Sequence, residues 1–310
     1  MKILVECVPN FSEGRDRQKV QRIAAAIEAA KGVHLLDIHM DADHHRSVMT
    51  FVGPPAEVAE VAVQAVGRAA ELIDLSQHQG EHPRIGAADV VPFVPVQGIT
   101  LEDCVELARQ AGEQIWRRFR IPIYFYEAAA RRPERSNLAN VRRGGWEGLK
   151  NEVQTDPSRW PDMGDPRLHP TAGATAVGAR TDLVAFNVNL NSADRRVSQE
   201  IAASIRASEG GLPGVKALGL LLQSRSFQGQ PGQAQVSINL TDLEKITLAQ
   251  VFDAVRQAAD RRGVSICDSE LVGLAPRKAF VGTTPEALRL SNFHSQKILE
   301  TRLAEISGGS

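Results

Sequence analysis

The sequence predicts an α+β protein of two tandem units, each ordered strand, helix, strand, strand, helix, strand. Two observations predict it. Short apolar runs with strand-like alternation are followed by stretches whose apolar residues recur at helical spacing. The same order then returns in the second half of the chain. Strand-helix-strand-strand-helix-strand is the split βαβ arrangement of ferredoxin-like folds, so the expectation is two ferredoxin-like (βαββαβ) subdomains.

The first strand is "ILVECVPNF", Ile3 to Phe11, ended by the turn residues Ser12-Glu13-Gly14. A helix follows, with Val20, Ile23, Ala24 and Ile27 on its apolar face. Leu183 to Leu190 repeats the strand, and Val197, Ile201, Ala202 and Ile205 repeat the helix. Asp16-Arg17, Ile23-Ala24-Ala25 and Ile27 align with Asp194-Arg195, Ile201-Ala202-Ala203 and Ile205 without a gap. The strand-turn-helix "SVMTFVGPPAEVAEVAVQAVGRAAELI" is echoed by "AQVSINLTDLEKITLAQVFDAVRQAADRRG". The closing strands are "DVVPFVPV" and "VSICDSELV". The first unit carries an extra helix, Leu101 to Phe119, and an extra strand, Ile121 to Tyr126. Residues 142–180, rich in Gly, Pro and Arg, read as a long connection with a short helix near Glu147 to Val153. The division expected is therefore 1–180, including that connection, and 181–310. The segment "TPEALRLSNFHSQKILETRLAEI" reads as a C-terminal amphipathic helix with Leu288, Leu290, Ile298, Leu303 and Ile306 as its apolar set.

Composition narrows the function. Thirty-six Lys+Arg stand against 37 Asp+Glu, for a net charge of -1, and no basic block marks a nucleic-acid surface. No apolar run approaches the ~20 residues of a membrane helix, and the N-terminus lacks a signal-peptide core, so a cytoplasmic protein with small-molecule partners is expected. Cys7, Cys104 and Cys267 show no CxxC spacing and read as buried packing residues.

Three features carry candidate chemistry. His82, in "GEHPRIGA", sits in a loop between a helix and a strand; an imidazole both takes and gives a proton near neutrality, and Glu81 and Asp89 are close enough in sequence to orient it. On the residues alone an ordinary surface loop residue is the commoner reading. In "HMDADHHRSV", His39, Asp41, Asp43 and His45 would share one face of a strand and could hold a divalent metal, or form a solvated hairpin tip. Asn10, Asn187, Asn189, Gln235 and Asn239 fall in or beside corresponding strands, where their amides could line a site for a polar heterocycle or cap strand ends. The Gly-rich stretches lack the spacing of a phosphate loop.

"LVECVPNFSEG", "RSVMTFVG", "HQGEHPRIGA", "GATAVGAR", "LVAFNVNL" and "AQVSINLTD" occur together and in this order, and through them the chain resembles the glutamate formimidoyltransferase family, in the form without a cyclodeaminase domain. The resemblance runs from about Leu4 to about Pro276. It implies transfer of the formimidoyl group of N-formimidoyl-L-glutamate to N5 of tetrahydrofolate in histidine breakdown, in a tunnel between the two subdomains. It implies His82 as the general acid/base, tetrahydrofolate as acceptor substrate, and no metal. The family's folate-contacting segment aligns with Met163, Gly164, Asp165, Pro166, Arg167, Leu168, His169, Pro170, Thr171 and Ala172. Animal members have Ser-Trp where Thr171-Ala172 stand, so His169 is expected to take over part of the lost contact. Arg46, Arg84 and Arg180 are expected as forks for substrate carboxylates, with surface ion pairs as the alternative. Other readings stay open: an N-formylglutamate/tetrahydrofolate formyltransferase, a folate-binding protein without turnover, and a metal-dependent hydrolase. A homodimer is expected from base rates of enzyme assembly.

Overall fold

The computed structural model describes residues 3–308; Met1, Lys2, Gly309 and Ser310 lie outside the described residues. Internal contacts divide the chain into two units, Met1–Arg180 and Thr181–Ser310.

In the first unit Pro9, with no amide hydrogen to donate, splits the opening strand into β1 (Leu4–Cys7) and β2 (Asn10–Phe11). Helix α1 (Arg17–Glu28) is started by Asp16, whose carboxylate accepts from the Gln18 and Lys19 amides, and it buries Val20, Ile23, Ala24 and Ile27. Strands β3 (His34–Asp41) and β4 (Arg46–Gly53) form a hairpin, and α2 (Pro55–Leu72) leads back to β5 (Ala88–Gln97). Both β1 and β2 lie antiparallel between β4 and β5.

Beyond β5 the sheet is extended by α3 (Leu101–Phe119), β6 (Ile123–Glu127), α4 (Leu138–Val141), α5 (Gly145–Glu152) and β7 (Thr175–Ala179). The sheet order from the hairpin edge is β3, β4, β1 with β2, β5, β7, β6. β7 runs parallel to both β5 and β6. This corrects the reading of 142–180 as connection alone: "TAVGA" is a strand in the middle of the extension. It carries no polar alternation because both of its faces are covered, which is the pattern of parallel strands. Val177 packs with Phe93 and Phe125 on the helix side, whereas Ala176 packs with Tyr124, Trp146 and Leu149 on the other.

The second unit repeats the plan. Strand β8 (Val184–Leu190), helix α6 (Arg195–Ile205), strands β9 (Val215–Phe227) and β10 (Gln230–Leu240), helix α7 (Leu248–Asp260) and strand β11 (Ile266–Val272) give the antiparallel order β11, β8, β10, β9. Asp194 caps α6 as Asp16 caps α1. Two sequence expectations fail here. The C-terminal helix, α8, covers Leu299–Gly308 only. Upstream, the backbone of Arg289 and Ser291 pairs with Ser269, and that edge pairing keeps 284–291 out of a helix. Cys267 is exposed, because a register shift between Ile266 and Asp268 turns it away from the core, while Cys7 and Cys104 are buried. No described helix is long and apolar enough to cross a membrane.

The segment from Ile73 to Ala87, between α2 and β5, carries His82 and is tied down along its length. Leu75 N donates to Thr171 O, Ala87 N to Ala172 O, and Ala174 N to Ile85 O, each at 2.9 Å. Ser12 N donates to Ala87 O, and Ser12 Oγ to Gly86 O at 2.7 Å. Gly86 and Gly173 form a β-bridge, and a Cβ on Gly86 would stand 1.9 Å from Ala174 O and 2.7 Å from Ala88 O. Only a glycine lets these backbones approach so closely. Gly86→Ala is accordingly expected to lower stability by about 1–3 kcal/mol, the usual range for overpacking. An unchanged urea midpoint would contradict the close approach.

Candidate active site

Beside this loop lies a small pocket. Ser12 and Asp89 form part of its wall, with His44 and His45 from the β3–β4 turn, Arg46 from the start of β4, and His78, His82 and Arg84 from the loop.

His82 is half-buried, and its tautomer follows from its partners. A backbone carbonyl only accepts, so Nδ1 must donate to Pro83 O, 2.9 Å away. A guanidinium only donates, so Nε2 must accept from Arg46 Nη1, 2.6 Å away. The ring is therefore neutral. Burial and then the adjacent Arg46, Arg142 and His44 hold its pKa well below the ordinary 6.5, against a smaller upward pull from the Pro83 carbonyl. The same burial, with Arg142 beside it, lowers Arg46 to about 10, which leaves it charged at neutral pH. The buried His44 lies over the His82 ring, centroids 5.9 Å apart.

Asp89 acts on the loop. Its Oδ1 accepts from Ile85 N at 2.7 Å and its Oδ2 from Arg142 Nη2, so the carboxylate fixes the chain beyond His82 and brings a second guanidinium to the site. Arg142 was concealed in sequence by the arginines around it.

Across the pocket, His78 is neutral by the same reasoning: Arg84 Nε donates to its Nδ1 at 2.8 Å, and its Nε2 donates to His45 O at 2.9 Å. Burial pushes its pKa down to about 4. The His45 ring stacks on it at 4.2 Å, Nδ1 facing Gln79 O and Nε2 facing the Glu13 carboxylate. Burial raises the Glu13 pKa, but hydrogen bonds from His45 and from the Asp16 and Arg15 amides outweigh it and hold the group at about 2.

The strand expected through His39, Asp41, Asp43 and His45 ends at Asp41, and Asp43 to His45 form a turn in which His45 has φ 48°. The period-two face invoked for a metal is therefore broken. Instead the turn delivers His44 and His45 to the pocket, which the pattern alone did not reveal.

Of the predicted site residues, His82, Arg46 and Arg84 come together. The Arg84 fork is occupied, Nη1 and Nη2 donating to the two Glu147 oxygens at 2.8 and 2.7 Å. Asn10 lies in β2 with Nδ2 on Val8 O, and Arg180 follows β7 with its amide on Phe93 O; neither lines the pocket. Met163 to Ala172 form a strap whose far end, Thr171 and Ala172, is hydrogen-bonded to the His82 loop. His169 turns inward: its Nδ1 accepts from Ala172 N at 3.0 Å. Ala172 is itself buried in the core. In the second unit, Asn187 Nδ2 donates to Glu270 Oε1 at 3.0 Å, Asn189 Nδ2 to Asp268 Oδ1 at 2.7 Å, and Gln235 Nε2 to Asn189 Oδ1 at 2.9 Å. These amides thus satisfy two β11 carboxylates across the sheet, a partnership missed in sequence because it joins three separated strands. Asn239, half-buried on β10, pairs in register with Ala185.

Two family models match the chain: the formiminotransferase domain, N-terminal subdomain, over residues 4–180, and the formiminotransferase domain over residues 185–294. The chain is 45% identical to the glutamate formimidoyltransferase of Streptococcus pyogenes serotype M1, covering 98% of this chain and 99% of that protein. It is 43% identical to the glutamate formimidoyltransferase of Thermoplasma acidophilum, covering 97% of each. With the mouse formimidoyltransferase-cyclodeaminase the identity is 40%, over 91% of this chain and 52% of the mouse protein.

Glu13 links the site to acid stability. Its folded pKa lies below its unfolded value of 4.5, so its contribution is present above pH 4.5 and is lost as the pH falls through about 2. The shift corresponds to roughly 3 kcal/mol. Glu13→Gln should show its full stability deficit between pH 5 and 7, and the deficit should shrink toward pH 2. A deficit constant over that range in denaturation curves would refute the assignment.

Proposed function

The chain belongs to the formiminotransferase family, and on that premise we propose that it transfers the formimidoyl group of N-formimidoyl-L-glutamate to N5 of tetrahydrofolate, with His82 moving the proton. The observation that carries the reading is the fixed tautomer of His82. With Nδ1 committed to Pro83 O, the basic nitrogen of a neutral ring is Nε2, on the pocket side with Arg46. As N5 attacks the amidine carbon, Nε2 takes the N5 proton. The tetrahedral adduct then breaks its bond to the glutamate nitrogen, which receives that proton. The products are 5-formimidoyltetrahydrofolate and glutamate, with no net change in the enzyme. An amidinium is already electrophilic, so alignment and proton handling are what the protein must supply.

In this reading the strap from Met163 to Ala172 contacts the folate and Arg46 meets a donor carboxylate. The two strand orders support ferredoxin-like subdomains over 1–180 and 181–310. The protein acts in histidine breakdown in the cytoplasm, as a homodimer.

The test is an assay with tetrahydrofolate and N-formimidoyl-L-glutamate, read as 5,10-methenyltetrahydrofolate after acid treatment, with N-formyl-L-glutamate in parallel. His82→Ala should keep the fold and lose about 10²–10⁴ in rate. Because the free ring titrates below 6.5, wild-type kcat/KM should already be on its plateau at pH 6.5 and fall only below it. Wild-type turnover by His82→Ala removes the histidine from the mechanism, and turnover with the formyl donor alone changes the reaction.

A further inference from the structure

We propose that Arg46 is a specificity-determining residue: it caps the basic nitrogen of His82 in the ligand-free protein and releases it when a carboxylate of the donor takes the guanidinium. The inference rests on the reading of His82 as the base.

A general base needs a lone pair directed at the proton it removes. His82 has one, on Nε2, because Nδ1 donates to Pro83 O, and Arg46 Nη1 sits on it at 2.6 Å. In this arrangement the base is blocked. Arg46 cannot leave by losing its proton, since it remains cationic at neutral pH. It must be drawn off by a better acceptor.

The carboxylates nearby are engaged. Asp89 holds Ile85 N and Arg142, Asp41 Oδ1 holds His44 N at 2.7 Å, and Glu147 holds Arg84. Arg142 and Arg84 each meet a carboxylate, whereas the hydrogen bond of Arg46 goes to a neutral imidazole, which is the weaker partner for a guanidinium. A carboxylate arriving with the substrate offers the charge-assisted bond that Arg46 lacks. Leaving the ring, Arg46 also stops disfavouring its protonation. The groups that face His82 are Arg46 from β4, His44 from the β3–β4 turn, and Arg142 beyond α4 with Asp89 of β5 behind it; His45, His78 and Arg84 stand across the pocket. Of these, Arg46 is the one bonded to Nε2.

A donor without a carboxylate therefore does not open the base, and the protein discriminates by charge as well as by fit. The test compares N-formimidoyl-L-glutamate with formamidine, an amidine lacking the carboxylate, in wild type, Arg46→Met and Arg46→Lys. In Arg46→Met the preference for the glutamate donor should fall about 10- to 100-fold, the worth of one charge-assisted hydrogen bond. Its acid limb of kcat/KM should rise toward pH 6.5, and Arg46→Lys should restore part of both effects. The wild type offers a reading that does not depend on a variant folding: its acid limb of kcat, set in the substrate complex, should lie above that of kcat/KM, set in the free protein. Coincident wild-type limbs, or unchanged preference in a folded Arg46→Met, overturn the gate. If His82→Ala is inactive while these hold, only the gate fails; if His82→Ala is fully active, the base assignment fails first.

Discussion

The close approach of two backbones at Gly86 and Ala174 is the constraint on which the chemistry of the first unit hangs. A loop that presents a histidine to a pocket in one fixed tautomer must be held closely, and loops are the least constrained parts of a chain. Here the constraint comes from treating the loop as additional sheet. Its end bridges Gly173, its carbonyls accept from Ser12 and Ala174, and its amides reach Thr171 and Ala172. Histidine, strap and opening strand are thereby positioned by one set of backbone bonds. The two segments the resemblance singled out, one for proton transfer and one for folate, are parts of the same hydrogen-bonded assembly.

Electrostatics then divides the histidines by what surrounds each ring nitrogen. His82 and His78 each face one donor-only guanidinium and one carbonyl, and burial reinforces their neutrality. His45 faces two acceptors, one of them a carboxylate. Three imidazoles of one pocket thus differ in which ring nitrogen meets an acceptor: Nδ1 in His82, Nε2 in His78 and both in His45. Burying charge is costly unless it is paired, and the pairings of Arg84 with Glu147 and Arg142 with Asp89 keep two of the three guanidiniums compensated.

Much of this was legible in the sequence where a local rule applied. The duplicated strand and helix, and the two aspartate caps at Asp16 and Asp194, depend on spacing within a dozen residues, and the fold follows them. What was not legible depends on residues far apart in the chain. "TAVGA" lacks alternation because both its faces are covered, so it resembles connection until its neighbours are known. The periodicity of 284–306 is helical, yet edge pairing with Ser269 takes precedence over its first half. In the site, His82 and Arg84 stood out in one short motif, but Arg142, His44 and the committed fork of Arg84 are visible only when distant segments meet. Asp89 was read as a partner of the histidine; it is instead a partner of the loop amide and of Arg142, because its oxygens face inward from β5.

The position of β7 has a consequence for how the first unit comes into being. β5 and β6 emerge first, yet they are not neighbours; the slot between them belongs to Thr175–Ala179. A nascent chain that has reached Glu127 holds two strands without the one that joins them, and it also lacks Gly173 and Ala174, to which the loop end is fastened. Sheet closure and the fastening of the loop end therefore both wait for a small-residue strand whose pairings are all long-range. Until then the exposed edges of β5 and β6 are surfaces that a chaperone, or another chain, can occupy.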